Sequence, residues 1–153
     1  MRSFLREIDI PPSWLALHIA AAWLVSFVSP SVFGGIGRMA GQGLVVLGAL
    51  LMGAAVAQMT LARTTVIPRR SPSALVTSGL FAWSRNPIYL ADALILLGGI
   101  LWLDAVLALP LLFSFVWLIQ TRFIRDEETR LTEAFGPEFD LWAARTRRWV
   151  GRK

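Results

Sequence analysis

Ser78-Gly-Leu-Phe-Ala-Trp-Ser-Arg85-Asn-Pro-Ile-Tyr89 runs directly into Leu90-Ala-Asp92-Ala-Leu-Ile-Leu-Leu-Gly-Gly-Ile-Leu-Trp102. A polar, arginine-bearing loop thus meets an apolar run close to the length of a bilayer crossing. Proline suits the first turn of a helix, where its missing N–H costs nothing, so Pro87 marks a helix start. Asn86 then stands as N-cap, its side chain expected to satisfy backbone donors. The apolar run, about Pro87 to Leu103, reads as a membrane helix, and another, about Ala105 to Phe123, follows it. Only Trp102-Leu-Asp104 joins the two, so a tight antiparallel hairpin is expected, with Pro110 kinking its second arm near the start.

Outward from the hairpin the pattern repeats. A run from about Ser13 to Val28 stops at Ser29-Pro30, and Phe33-Gly-Gly-Ile-Gly-Arg38 reads as a glycine-rich turn. The next run, about Gly41 to Leu61, carries Gly43, Gly48, Gly53, Ala54 and Ala55, small residues that let a second helix approach closely. Residues 10–37 hold no charged side chain, longer than a signal-peptide core, so the first run is expected to be a retained helix. The fold class is therefore all-α: one domain over 1–153, an integral membrane bundle of about four helices (13–28, 41–61, 87–103, 105–123). A cytosolic tail, 124–153, forms amphipathic helices divided by Gly136-Pro137, the second ending near Arg148 or Trp149.

Composition agrees. Apolar residues make up 56% and charged ones 16% of the chain, against about 45–50% and about 25% in soluble proteins. The net charge of +5 accompanies long uncharged runs, so it reads as membrane orientation and not as a nucleic-acid surface. Arg63, Arg69, Arg70 and Arg85 lie in one loop without an acidic residue, and the tail from Arg122 to Lys153 is also basic. The other two turns carry only Arg38 and Asp104. Four spans then put both termini and the 63–85 loop in the cytosol, and the expected location is a bacterial inner (cytoplasmic) membrane. Without cysteine, disulfides, thiolate metal sites and cysteine nucleophiles are excluded. The single His18, in an apolar run, is expected to be structural or interface-facing, and no metal site is expected.

The residues able to carry chemistry gather at the basic side. Arg85 beside a helix N-terminus favours an anionic ligand, a carboxylate or phosphate; the alternative is snorkelling to headgroups. Asp92 falls one turn beyond Tyr89 on the same face, where a carboxylate needs a partner: Arg85, a bound cation, or water at a shallow boundary. Asp126-Glu127-Glu128 follows the fourth run, and on its own reads as a solvated helix face near Arg122, Arg125 and Arg130. Arg145, Arg147 and Arg148 read as anchors for anionic headgroups. No phosphate loop, His–Glu metal signature or serine elbow occurs.

Two motifs in order carry a resemblance. Thr77-Ser78-Gly79-Leu80-Phe81…Arg85-Asn86-Pro87-Ile88-Tyr89 is similar to a Gly-Pro/Leu-Tyr/Phe…Arg-His-Pro-x-Tyr segment. Glu127-Glu128…Leu131…Phe135-Gly136…Phe139…Trp142…Arg145…Arg148 is similar to a Glu-Glu…Leu…Phe-Gly…Tyr…Tyr tail followed by basic residues. Over residues 63–150 the chain thus resembles the isoprenylcysteine carboxyl methyltransferase and phospholipid methyltransferase superfamily of integral-membrane enzymes. The resemblance implies S-adenosylmethionine as cofactor, enclosed on the cytosolic side by the hairpin and tail. It implies cofactor binding by Gly79, Phe81, Arg85, Asn86, Tyr89, Glu127 and Glu128, with Arg85, Glu127 and Glu128 in catalytic roles. The acceptor would be a lipid or a prenylated small molecule: an isoprenylcysteine-type carboxylate, a phospholipid amine or another isoprenoid. Asn86 replaces the family histidine and cannot carry its proton charge; Phe139 and Trp142 replace tyrosines, keeping stacking but losing hydroxyls. The alternatives are a membrane reductase using a nicotinamide cofactor, or a small transporter or assembly subunit.

Overall fold

The computed structural model describes residues 9–65 and 72–153, and its described residues are helical with no strand. Arg69 and Arg70, part of the basic loop, lie outside these residues, as does the N-terminus before Asp9. Helix α1 spans Pro11–Ser26, α2 Gly34–Leu61 and α3 Pro87–Trp102. After a short 3₁₀ turn, Val106–Ala108, α4 covers Leu109–Ile119. It passes through a π-helical turn, Gln120–Ile124, directly into α5, Arg125–Phe135. Helix α6, Pro137–Arg145, follows Gly136, whose φ of 50° breaks the run. A 3₁₀ turn, Gly79–Ala82, precedes α3.

Several boundaries depart from expectation for definable reasons. The glycine-rich stretch is not a turn but the start of α2, seven residues earlier than the apolar run suggested. Its cap comes from far along the chain. The Asp104 carboxylate accepts the backbone N–H groups of Val32 (3.1 Å), Phe33 (2.7 Å) and Gly34 (3.2 Å), and the Ser31 hydroxyl donates to it as well. These donors hold its acid well below the usual range, at about 2, the Ser31 bond contributing most. Pro110 does not kink the hairpin's second arm; it occupies the first turn of α4 and so starts it. The fourth run and the tail's first helix are continuous through the π turn, and the last helix ends at Arg145.

Helices α2 and α3 meet at backbone contact. A Cβ on Gly41 would lie 2.5 Å from the Gly98 oxygen, one on Gly48 would lie 2.9 Å from the Ala91 oxygen, and one on Gly98 would lie 2.7 Å from the Gly41 oxygen. Gly41, Gly48 and Ala55, spaced by seven, form the buried seam. Of the expected small-residue face only Gly48 and Ala55 take part, since Gly43 and Gly53 face open space and Ala54 is exposed. Helix α1 packs on α3 and α4 around Leu96, Ile100, Phe115 and Ile119. His18 takes the structural role of the two expected: Nδ1 lies 2.8 Å from the Trp14 carbonyl, Nε2 3.2 Å from Ser114 Oγ, and the ring stands edge-on to Phe115.

The outside is as apolar as the inside. Leu17, Leu24, Phe27, Ile36, Met39, Leu50, Phe113 and Trp117 are exposed, a pattern that suits lipid and not water. Two helical stretches, Gly34–Leu61 and Val106–Phe135, are long and apolar enough to cross a membrane; Pro87–Trp102 is apolar but shorter.

Candidate functional site

The 78–86 loop is held from three directions. From α2, Gln58 donates Nε2–H to the Ser78 carbonyl (2.6 Å) and accepts the Leu80 N–H on Oε1 (3.2 Å). Gly79 has φ of 56°, and a Cβ there would meet the Gln58 amide at 2.6 Å, so glycine is needed for both backbone and space. From α6, Trp142 donates its indole N–H to the Phe81 carbonyl (2.9 Å). From the C-terminal segment, the Arg147 carbonyl accepts the Arg85 N–H (3.1 Å) and the Gly151 N–H reaches the Trp83 carbonyl (2.7 Å).

That strap changes two readings. Asn86 does sit at the N-cap position of α3, but its side chain makes no cap bond; it donates Nδ2–H to the Arg148 carbonyl (3.0 Å). Arg148 is not a headgroup anchor: its Nε and Nη2 grip Glu128 at 3.0 and 2.5 Å. Arg85 Nη1 reaches the same carboxylate at 3.0 Å, so Glu128 sits between two guanidiniums. The Glu128 hydrogen bond holds Arg148 above its usual acidity constant, whereas burial pulls Arg85 below its own and Glu128 opposes that.

The acidic run is therefore not a solvated face. Asp126 is exposed, but Glu127 accepts the Tyr89 hydroxyl on Oε2 at 3.2 Å and Glu128 takes the two arginines. The π turn contributes here. Its extra residue rotates α5 by about 100° relative to an uninterrupted α-helix. Trp149 secures it by donating its indole N–H to Gln120 Oε1 (3.0 Å).

A cavity of about 200 Å³ opens inside this frame. Phe81, Arg85, Asn86, Tyr89 and Glu127, all expected from the sequence, line it. Gly79 and Glu128 are not among its lining residues; Glu128 reaches it through Arg85, and Gly79 lies behind it against Gln58. Asp92, Arg130 and Trp142 also line it, as do the apolar Met52, Met59, Leu75, Ile88 and Leu131. Trp83, in the 78–86 loop, does not line it and is 61% exposed beneath the Arg152 guanidinium. One donor stands out among the described residues: Arg85 Nε is buried without a hydrogen-bond partner. Sequence reasoning missed Gln58, Arg130 and Arg148. For Arg148 a signal existed, since it closes the second motif; Gln58, a lone amide in an apolar run, was the other.

An all-helical bundle with an apolar exterior suits a membrane protein, and the cavity lined by Arg85, Asp92, Glu127 and Arg130 is its candidate small-molecule site. The family model for phospholipid methyltransferases matches residues 36–138, and the chain belongs to that family of methyltransferases. No curated protein and no solved structure matches it significantly.

Proposed function

We propose that the protein uses S-adenosylmethionine to methylate a lipophilic acceptor at the cytosolic face of a membrane, with four spans and both termini cytosolic. One observation carries this reading: the cavity joins the two motifs, through Tyr89 to Glu127 and Arg85 to Glu128. The two short helices, α1 and α3, have 16 residues each, about 24 Å at the helical rise. They reach across only with their flanking apolar residues.

The residues present fit the cofactor's chemistry. Arg85 Nε, buried and unpartnered among the described residues, suits a carboxylate. Glu127 suits an ammonium or ribose hydroxyls, and Phe81, Tyr89 and Trp142 offer aromatic faces to adenine. When bound, S-adenosylmethionine supplies a methyl group on a positively charged sulfur. Arg85 and the loop it anchors orient and align, which is most of what an in-line displacement needs. The apolar wall of Met52, Met59, Leu75 and Ile88 admits an acyl or prenyl chain and keeps water out. An amine acceptor must lose a proton as its new bond to carbon forms, and Glu127 is a carboxylate within the cavity able to take it. A carboxylate acceptor needs no base.

Calorimetry of S-adenosylmethionine on the purified protein, with Arg85→Gln and Glu127→Gln, tests the reading. Saturable binding by the wild type that weakens in both variants is expected. No binding in detergent or in lipid bilayers contradicts it.

A further inference from the structure

Asp92 stands apart from every other charge of the site. It lies one turn beyond Tyr89 on α3, is 3% exposed, and lines the cavity. The sequence offered Arg85 as its partner, but Arg85 is committed to Glu128. Among the described residues no ion pair or hydrogen bond reaches the Asp92 carboxylate, although Arg85 and Arg130 line the same cavity. A carboxylate on an otherwise apolar helix is costly without a counter-charge. Its neighbours add to the case. Glu127, joined to Tyr89, brings a second carboxylate, and Tyr89, Phe81 and Trp142 bring the aromatic faces on which cations rest. The unpartnered Arg85 Nε, in the same cavity lining, calls for an anion. Of the two carboxylates that line the cavity, Glu127 has the Arg130 charge beside it, and Asp92 alone lacks a counter-charge among the described residues.

We propose that Asp92 is the counter-ion of a cationic centre bound in this cavity, either the sulfonium of the methyl donor or the ammonium of an amine acceptor. The assignment rests on the methyltransferase reading and adds a residue that neither motif contains. It makes Asp92 a residue that selects for charge: ligands alike in shape but differing in one positive charge are told apart there.

Two pairs of probes separate the sources. S-adenosylmethionine and S-adenosylhomocysteine differ by a methyl group and the sulfonium charge; dodecylammonium and dodecanol differ by the ammonium. Binding of all four is measured by calorimetry on the wild type and on Asp92→Asn, with S-adenosylhomocysteine binding and a melting curve reporting the fold. Asp92→Ser serves where the Asn variant fails that control. If the sulfonium is the partner, the preference for S-adenosylmethionine over S-adenosylhomocysteine falls about tenfold while S-adenosylhomocysteine binds as before. If the ammonium is the partner, that ratio holds and the preference for dodecylammonium over dodecanol falls instead. Unchanged preferences in both pairs overturn the proposal. A wild type that binds neither adenosyl ligand contradicts the methyltransferase reading itself, and the alkyl pair then decides Asp92 alone.

Discussion

The two ends of the bundle each hold a polar cluster built around carboxylates, and they differ in what is left over. At the end formed by Ser31–Gly34 and Asp104, one exposed carboxylate meets four donors, and the cluster ties the hairpin turn to the start of α2. The negative charge sits at a helix N-terminus, where the helix dipole favours it. At the end formed by the 78–89 loop, Glu127–Glu128 and the C-terminal strap, the network is just as extensive but does not close. Glu128 is saturated by two arginines, yet among the described residues Arg85 Nε and Asp92 remain without partners beside a cavity. A fully satisfied network stabilises; one that leaves buried capacity facing a cavity carries the cost of that capacity until a ligand arrives. The polar end worth calling a site is recognised by its incompleteness.

Variants should separate the two ends. The largest effect is expected for Glu128→Ala, which leaves two partly buried guanidiniums facing each other and should cost about 3 kcal/mol in stability. A melting curve in detergent checks it, and a loss of well under half that would mean the strap, not the carboxylate, holds Arg148. Next comes the seam that spaces the ends. Gly98→Leu forces a Cβ to within 2.7 Å of the Gly41 oxygen and should cost about 1–3 kcal/mol by overpacking. Gly43→Leu, at a glycine with nothing within 4 Å, should leave the melting temperature near wild type. If both behave alike, α2 and α3 do not meet as described.

Trp142→Phe keeps an aromatic ring, smaller than the indole, and removes the bond to the Phe81 carbonyl. It should cost about 1–2 kcal/mol in stability and weaken S-adenosylmethionine more than a matched substitution at the Asp104 end. The smallest effect belongs to that end. Asp104 is acidic to about 2 in the folded chain, below the ordinary carboxylate value. Its contribution is therefore present above the ordinary range and lost as pH falls through about 2. Melting curves between neutral pH and pH 2 should show the wild type losing slightly more on acidification than Asp104→Asn. Cofactor affinity should be the same in both.

Legibility in the sequence divides along the same line. Apolar runs announce helices because every residue of the run reports the same solvent, and the Arg85–Tyr89 and Glu127–Glu128 motifs lie at their edges. Features set by contacts across long stretches of chain were invisible. Asp104 looks like a turn residue, and nothing local says that it caps a helix some seventy positions earlier. The glycines of 34–37 look like a turn because that cap is elsewhere. Pro110 reads equally as a kink or a first turn, and only the break before it decides. The acidic run looks solvated because its charge pattern pairs locally. The π turn and the strap, neither marked by composition, turn it inward. Arg148 looked like an anchor for the same reason: its partner is twenty residues away.

The central claim, that the open polar end is the cofactor site, is tested most directly by photolabelling with radiolabelled S-adenosylmethionine and mapping the labelled peptide. Label in the peptides carrying Phe81 and Tyr89 or Trp142, competed by unlabelled S-adenosylhomocysteine, is the predicted result. Competed label around Ser31–Gly34 and Asp104, or no competed label in a protein that remains folded, would contradict it.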